Sequence, residues 1–272
     1  MTLDKSAIWQ RNKVTLHGNG PQILVLGHGF GCDQQIWLPM IASLGPDFTV
    51  VTFDHVGCGR SDLSAFTEED YATLHGYKRD LIEILETLEG EDITLVGHSV
   101  SGLISMLVAI ERPDLMSSLV AIGPSPRYID DPPHYNGGFE EEDIEQLLAM
   151  MQRNHFEWAG YLAPIVMKNT HRPELAERLR DSFANANPAI SRKFAESTFY
   201  CDHRRDLAKV PVPVGLMYCE EDVIVPVEVI DFMADAIPHC DKILLDANGH
   251  YPHMSHPEQV ASEIKQWLRT KL

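Results

Sequence analysis

The sequence predicts an α/β fold with a mostly parallel central sheet flanked by helices, and three observations carry that expectation. Apolar runs of strand length recur without polar alternation, as strands covered on both faces require. Between them lie segments whose apolar residues repeat at three- and four-residue spacing, the mark of helices that bury one face. About eighty residues in the middle of the chain break this rhythm with helical patterns alone.

In chain order, Ile23 to Leu26 and Phe48 to Phe53 are the first two strong strands, each followed closely by Gly or Asp. Leu74, Tyr77, Leu81, Ile84, Leu85 and Leu88 mark one face of the next helix, with Gly90 as its stop. A third strand, Ile93 to Val96, runs into a helix that begins after Ser99 and continues through Leu103, Met106 and Leu107 to Arg112, where Pro113 disfavours continuation. Leu119 to Ile122 is the fourth strand. From about 124 to 205 helical segments are separated by Pro132-Pro133, Pro164, Pro173 and Pro188. Within that stretch Ile144, Leu147, Leu148 and Met151 form an apolar stripe behind the acidic run Glu140 to Asp143. Negative side chains suit a helix start because they oppose the positive end of its dipole, so the run needs no functional explanation. The strand and helix rhythm resumes with Val212 to Tyr218, a helix over Val227 to Ala236, a strand at Lys242 to Leu245 and a closing helix carrying Val260, Ile264, Trp267 and Leu268. The expected organisation is one domain over 1–272, its core in two sequence pieces, 1–123 and 206–272, with a helical lid inserted at about 124–205.

Composition narrows the function. With 22 Lys plus Arg against 40 Asp plus Glu, the net charge of -18 repels phosphate backbones and anionic headgroups, which argues against nucleic acid and membrane partners. The longest apolar stretch, Leu103 to Ile110, is interrupted by Ser105 and falls far short of the roughly 20 residues that span a bilayer. Met1 to Gln10 mixes Asp4 and Lys5 with scattered apolar residues, unlike a secretory signal, so a cytoplasmic location is expected. The five cysteines are odd in number, widely spaced and free of any CxxC pair, and they read as small core residues rather than disulfides or zinc ligands.

The chemistry-bearing residues lie in the predicted turns. Gly97-His98-Ser99-Val100-Ser101-Gly102 follows a strand and opens a helix, the context in which a serine is pushed clear of the sheet. The strict G-x-S-x-G pattern has glycine where this chain has Ser101, so on its own the segment also reads as a small-residue turn with an incidental serine. Gly27-His28-Gly29-Phe30-Gly31 follows the first strong strand, where a main-chain N–H could complete an oxyanion hole with the residue after the serine. Phe30 and Val100 are the expected donors. A dinucleotide-binding turn is the rival, but G-x-G-x-x-G fails at Cys32 and no helix opens at once from the glycines. The stretch from Asp54-His55 to Arg60-Ser61 reads as a structural loop.

A serine nucleophile needs a base, and the base needs an acid to hold its tautomer. Cys219-Glu220-Glu221-Asp222 and Asn248-Gly249-His250 follow the last two strands, so Asp222 and His250 fit in the order serine, acid, histidine. Spacing alone leaves Glu220 and Glu221 as alternatives for the acid. A metal site from His250, His253 and His256 is disfavoured, because Pro252 and Pro257 break the segment and no carboxylate or cysteine is interleaved with it. His256 reads instead as the start of the last helix, and no metal or cofactor is expected.

These segments together make the chain resemble the α/β-hydrolase superfamily. Within it the resemblance is to the RsbQ-like group, which includes a bacterial stress-response regulator and the related karrikin and strigolactone receptors. It rests on His28-Gly29-Phe30-Gly31-Cys32-Asp33-Gln34, Gly97-His98-Ser99-Val100, Pro124-Ser125-Pro126-Arg127-Tyr128, Gly137-Gly138-Phe139-Glu140 and Pro252-His253-Met254-Ser255-His256-Pro257. The resemblance implies an α/β-hydrolase fold with an inserted four-helix lid, a triad of Ser99, Asp222 and His250, and oxyanion donors at Phe30 and Val100. It also implies a pocket lined by Tyr128, Phe139, Leu147, Trp158, Leu162 and Phe199, each of which ordinary packing between lid helices would also explain.

Serine at position 99, where the similar haloalkane dehalogenases and epoxide hydrolases carry aspartate, points to acyl transfer. The expected function is cofactor-independent hydrolysis of a small apolar ester or lactone, the aromatic and aliphatic lid favouring an apolar acyl group. The alternative, carried by the resemblance, is a regulator that binds or slowly hydrolyses a small signal molecule and engages a regulatory protein partner. A carbon-carbon bond hydrolase is a third reading, since the same triad serves that chemistry.

Overall fold

The computed structural model describes residues 4–90 and 92–271. Among these residues seven strands form one sheet: β1 (Thr15–His17), β2 (Gln22–Gly27), β3 (Phe48–Thr52), β4 (Ile93–His98), β5 (Ser118–Ile122), β6 (Val214–Tyr218) and β7 (Cys240–Leu244), in spatial order β1-β3-β2-β4-β5-β6-β7. All neighbours pair in parallel except β1, which runs antiparallel to β3 at the edge. β4 and β5 are buried at every residue, which explains their mostly apolar runs, with the hydroxyls of Thr94 and Ser118 bonded to each other at 2.9 Å, whereas β7 at the opposite edge is half-exposed.

The helices are α1 (Lys5–Arg11), α2 (Leu38–Leu44), α3 (Leu74–Glu86), α4 (Val100–Glu111), α5 (Glu141–Arg153), α6 (His155–Met167), α7 (Pro173–Asn185), α8 (Pro188–Phe199), α9 (Val227–Ala236), α10 (Pro252–Ser255) and α11 (Pro257–Arg269). α3 stops short of Gly90, at Thr87, whose hydroxyl donates back to Ile84 O at 2.7 Å and accepts Trp9 Nε1–H at 2.8 Å. Local side-chain bonding ends the helix before the glycine can.

Between β5 and β6 the chain makes four consecutive helices, α5 to α8. Glu140 and Asp143 close a capping box at the start of α5, the local use of the acidic run. Pro173 and Pro188 each sit at the first position of a helix, where the missing N–H costs nothing. Pro164 departs from expectation, lying inside α6 instead of separating two helices. A proline ring crowds the carbonyl four residues back, here that of Gly160, and both residues are exposed, so the freed carbonyl is left open to solvent rather than buried while the last turn continues.

α6 and α8 dock on the core through aromatic edges, with the Phe30 ring meeting Trp158, Phe194 and Phe199 at centroid distances of 5.9, 5.8 and 5.7 Å. All five cysteines are free; Cys32, Cys58 and Cys219 are buried core residues, burial pushing the Cys32 thiol up to about 12, whereas Cys201 and Cys240 are half-buried against the core. Among the described residues no helix is long and apolar enough to cross a membrane.

Candidate active site

Parallel strands end on one edge of the sheet, and the predicted chemistry collects there. Gly27 at the end of β2 pairs with Gly97 in β4, so the 28–31 loop and the serine turn leave the sheet side by side. Ser99 follows β4 with φ 54 and ψ -121, a strained conformation for a residue with a Cβ, and α4 starts at the next residue. The turn is tight enough that a Cβ on Gly97 would fall 2.4 Å from the N of Gly102, which is why glycine stands there.

His250 Nε2 lies 2.9 Å from Ser99 Oγ, and His250 Nδ1 lies 2.7 Å from Asp222 Oδ2. Asp222 Oδ1 accepts the N–H groups of Ile224 and Val225 at 2.8 and 3.2 Å, which fixes the carboxylate plane. Glu220 and Glu221 are exposed, and Glu221 pairs with Lys168 instead. The His250 main chain is held on both sides: its N–H donates to Val166 O in α6, and its carbonyl accepts from His98 Nε2, both at 2.8 Å. Burial, with His253 and His250 beside it, holds the His98 imidazole well below the usual histidine range, so it stays neutral.

Phe30 N–H donates to no acceptor among the described residues. Val100 N–H is the first of the α4 amides that a helix leaves unpaired. Both are available to an anion formed next to Ser99. The Tyr128 hydroxyl approaches Ser99 Oγ at 3.5 Å, and burial pushes its pKa up, which keeps it protonated.

A cavity of about 30 Å³ opens beside Ser99 and His250, walled by Phe30, Tyr128, Leu162, Val166, Phe183 and Phe199, with Thr198, Ile224 and Tyr251 completing it. Three residues named from the sequence lie elsewhere. Trp158 is fully buried but spends its faces stacking on His155 and Phe183 at 5.2 and 5.1 Å. Phe139 bridges to Ile129 and donates its N–H to Tyr128 O, so it props the strap behind the wall. Leu147 packs half-buried on the core side of α5. Val166 was legible as the residue four after Leu162 on one helix face, and Tyr251 as the neighbour of His250. Phe183 had no local signal.

His253 packs on Trp37 at 4.4 Å and is fully buried, while His256 stands just before α11 with its Nδ1 bonded to Ser255 Oγ, so the three histidines of this segment do not converge. Among the described residues no three His, Cys, Asp or Glu side chains are grouped to hold a metal.

Fold and site together define a protein of the α/β-hydrolase type. The chain belongs to the alpha/beta hydrolase family, whose family model matches residues 24–263. It is similar to Karrikin insensitive 2 receptor CA of Petunia hybrida, 35% identical over 252 residues that cover 92% of this chain and 93% of that protein. It is also similar to Strigolactone esterase D14 of Arabidopsis thaliana, 33% identical over 256 residues covering 94% and 95%. Among solved structures, olei00960, a hydrolase from Oleispira antarctica, superposes with a TM-score of 0.95 at 36% identity, covering 99% of this chain and 98% of that one.

Proposed function

We propose that the protein is a cofactor-independent serine hydrolase that cleaves a small apolar ester or lactone. The observation that carries this reading is the unbroken hydrogen-bond chain from Asp222 Oδ2 through His250 to Ser99 Oγ at the rim of an apolar cavity. His250 Nε2 takes the Ser99 proton as Oγ attacks the ester carbonyl, and Asp222 stabilises the imidazolium through Nδ1–H. The N–H groups of Phe30 and Val100 receive the oxyanion. Collapse of the tetrahedral intermediate expels the alcohol, which takes its proton from His250. Water, deprotonated by the same His250, then attacks the acyl-serine and releases the acid. Every step uses groups of this chain and water.

In this reading 124–205 acts as a lid. Helices α6 to α8 supply Leu162, Val166, Phe183, Thr198 and Phe199 to the cavity beside Ser99 and His250, so their placement controls how substrate enters. The apolar wall selects a small apolar acyl group.

The test is turnover of a short-chain chromogenic ester by the wild type and by Ser99→Ala. Loss of turnover in the variant supports the assignment, and equal turnover refutes it. A second reading, slow hydrolysis coupled to signalling through a protein partner, is favoured by the 35% identity to a protein named as a receptor. It predicts very slow turnover together with a ligand-dependent rise in melting temperature, whereas a metabolic esterase turns over many esters rapidly.

A further inference from the structure

Ser101 stands where the serine-turn pattern has glycine, and its side chain is buried. Its Oγ lies 2.5 Å from His28 O and 2.7 Å from His55 Nε2. A carbonyl can only accept, so the hydroxyl donates to His28 and accepts the Nε2–H of His55. His55 Nδ1 is then the unprotonated nitrogen, and it has no partner among the described residues. The His55 main-chain N–H donates to His28 Nε2 at 3.1 Å, which leaves the His28 proton on Nδ1, where it is given to Gly29 O at 2.9 Å. The links close into a ring that runs from the Ser101 hydroxyl through the His28 main chain and imidazole to the His55 main chain and imidazole, then back to Ser101.

This ring is not a second nucleophile. The Ser101 proton is committed to a carbonyl, and His55 has no carboxylate on Nδ1. What the ring does hold is the peptide unit between Gly29 and Phe30. Gly29 O accepts from His28 Nδ1 and from Cys32 N–H at 3.3 Å. A peptide is planar and trans, so its N–H points opposite to its carbonyl. Fixing Gly29 O therefore fixes the direction of Phe30 N–H.

We propose that Ser101 is a positioning residue, tying the first turn of α4 to the 28–31 loop through His28 and His55 so that the Phe30 N–H is aimed at the oxyanion. The glycine of the usual pattern cannot do this. The proposal rests on the reading of Ser99 as nucleophile.

Ser101→Ala removes only the Oγ. It is expected to lower kcat for a short-chain ester roughly 10- to 100-fold with KM within about twofold, since a misaimed donor loses part of what a missing one costs. Affinity for a trifluoromethyl ketone, which forms a tetrahedral adduct on Ser99, falls by the same factor, while the parent methyl ketone binds unchanged. His55→Leu, which removes the donor to Ser101, gives the same pattern, and His55→Gln, whose Nε2–H can replace it, recovers most of the loss. A kcat within twofold of wild type in Ser101→Ala, or equal losses on both ketones, overturns the proposal. If Ser101→Ala does not fold, the His55→Leu and His55→Gln pair decides by the same readouts. Ser99→Ala separates the two hypotheses: retained turnover there refutes the nucleophile assignment, and its loss together with an indifferent Ser101→Ala refutes only the role of Ser101.

Discussion

The imidazole of His98 donates its Nε2–H to the main-chain carbonyl of His250 at 2.8 Å, so the residue before Ser99 grips the backbone of the histidine that Ser99 bonds. The serine turn and the histidine loop are thus registered by a bond that the proposed chemistry never breaks. The opposite side of the same backbone is held by α6 through Val166 O.

Replacing His98 by Leu leaves a buried carbonyl unpaired, at a cost of about 1–3 kcal/mol in stability. The His250 ring also loses its alignment, and we expect kcat to fall about tenfold with KM nearly constant. His98→Gln, which can still donate, should recover much of both losses. Melting curves and steady-state kinetics on the pair check this.

Asp222→Asn is expected to reduce kcat on the order of 10⁴-fold while the fold persists, because an amide favours the wrong tautomer of His250. Glu220→Gln and Glu221→Gln should change kcat little, since both side chains are exposed. Parallel kinetics on the three variants identify which acid of the loop serves His250.

Stability should decline as pH falls below about 6.5. Burial is the main cause that holds His55, His98 and His253 below the ordinary range, His253 at about 3. Their folded values lie below their unfolded ones, so the unfolded chain binds protons that the folded chain refuses. Each costs about 1.4 kcal/mol per pH unit once pH is well below 6.5. Asp80 acts in the opposite sense: burial raises it to about 6, so the folded state takes its proton first and gains stability between about 6 and 4. Melting temperature against pH should be less steep in His253→Phe and steeper in Asp80→Asn.

Leu162→Ala removes part of the cavity wall, and longer acyl chains should gain on acetate. One added methylene in an apolar pocket is worth about 1–3 kcal/mol, so the ratio of kcat/KM for hexanoate over acetate should rise at least tenfold. A chain-length series of esters measures it. An unchanged ratio would show that the acyl group does not lie against Leu162.

Much of the fold was legible because strands buried on both faces are written as mostly apolar runs without alternation, as β4 and β5 show. β1 was not, being three residues long at an edge with Leu16 half-exposed, so no run betrays it. α1 and α2 are seven residues each, too short for a periodicity to stand out. Pro164 misled because a proline in a last, solvent-facing turn reads like a breaker.

What the sequence by itself determined was the order of β2 to β7 in the chain and the placing of the turn after β4 and the loops after β6 and β7, because each is a local pattern at a strand end. Tertiary structure shows that Asp222, and not Glu220 or Glu221, meets His250, which aromatics wall the cavity, and what the Ser101 hydroxyl bonds. Those depend on side chains brought together across the sheet, such as His28, His55 and Ser101, whose separation along the chain leaves no periodicity to read. The glycine missing at position 101 looked like a flaw in a motif, and only the folded chain shows that its hydroxyl has two partners.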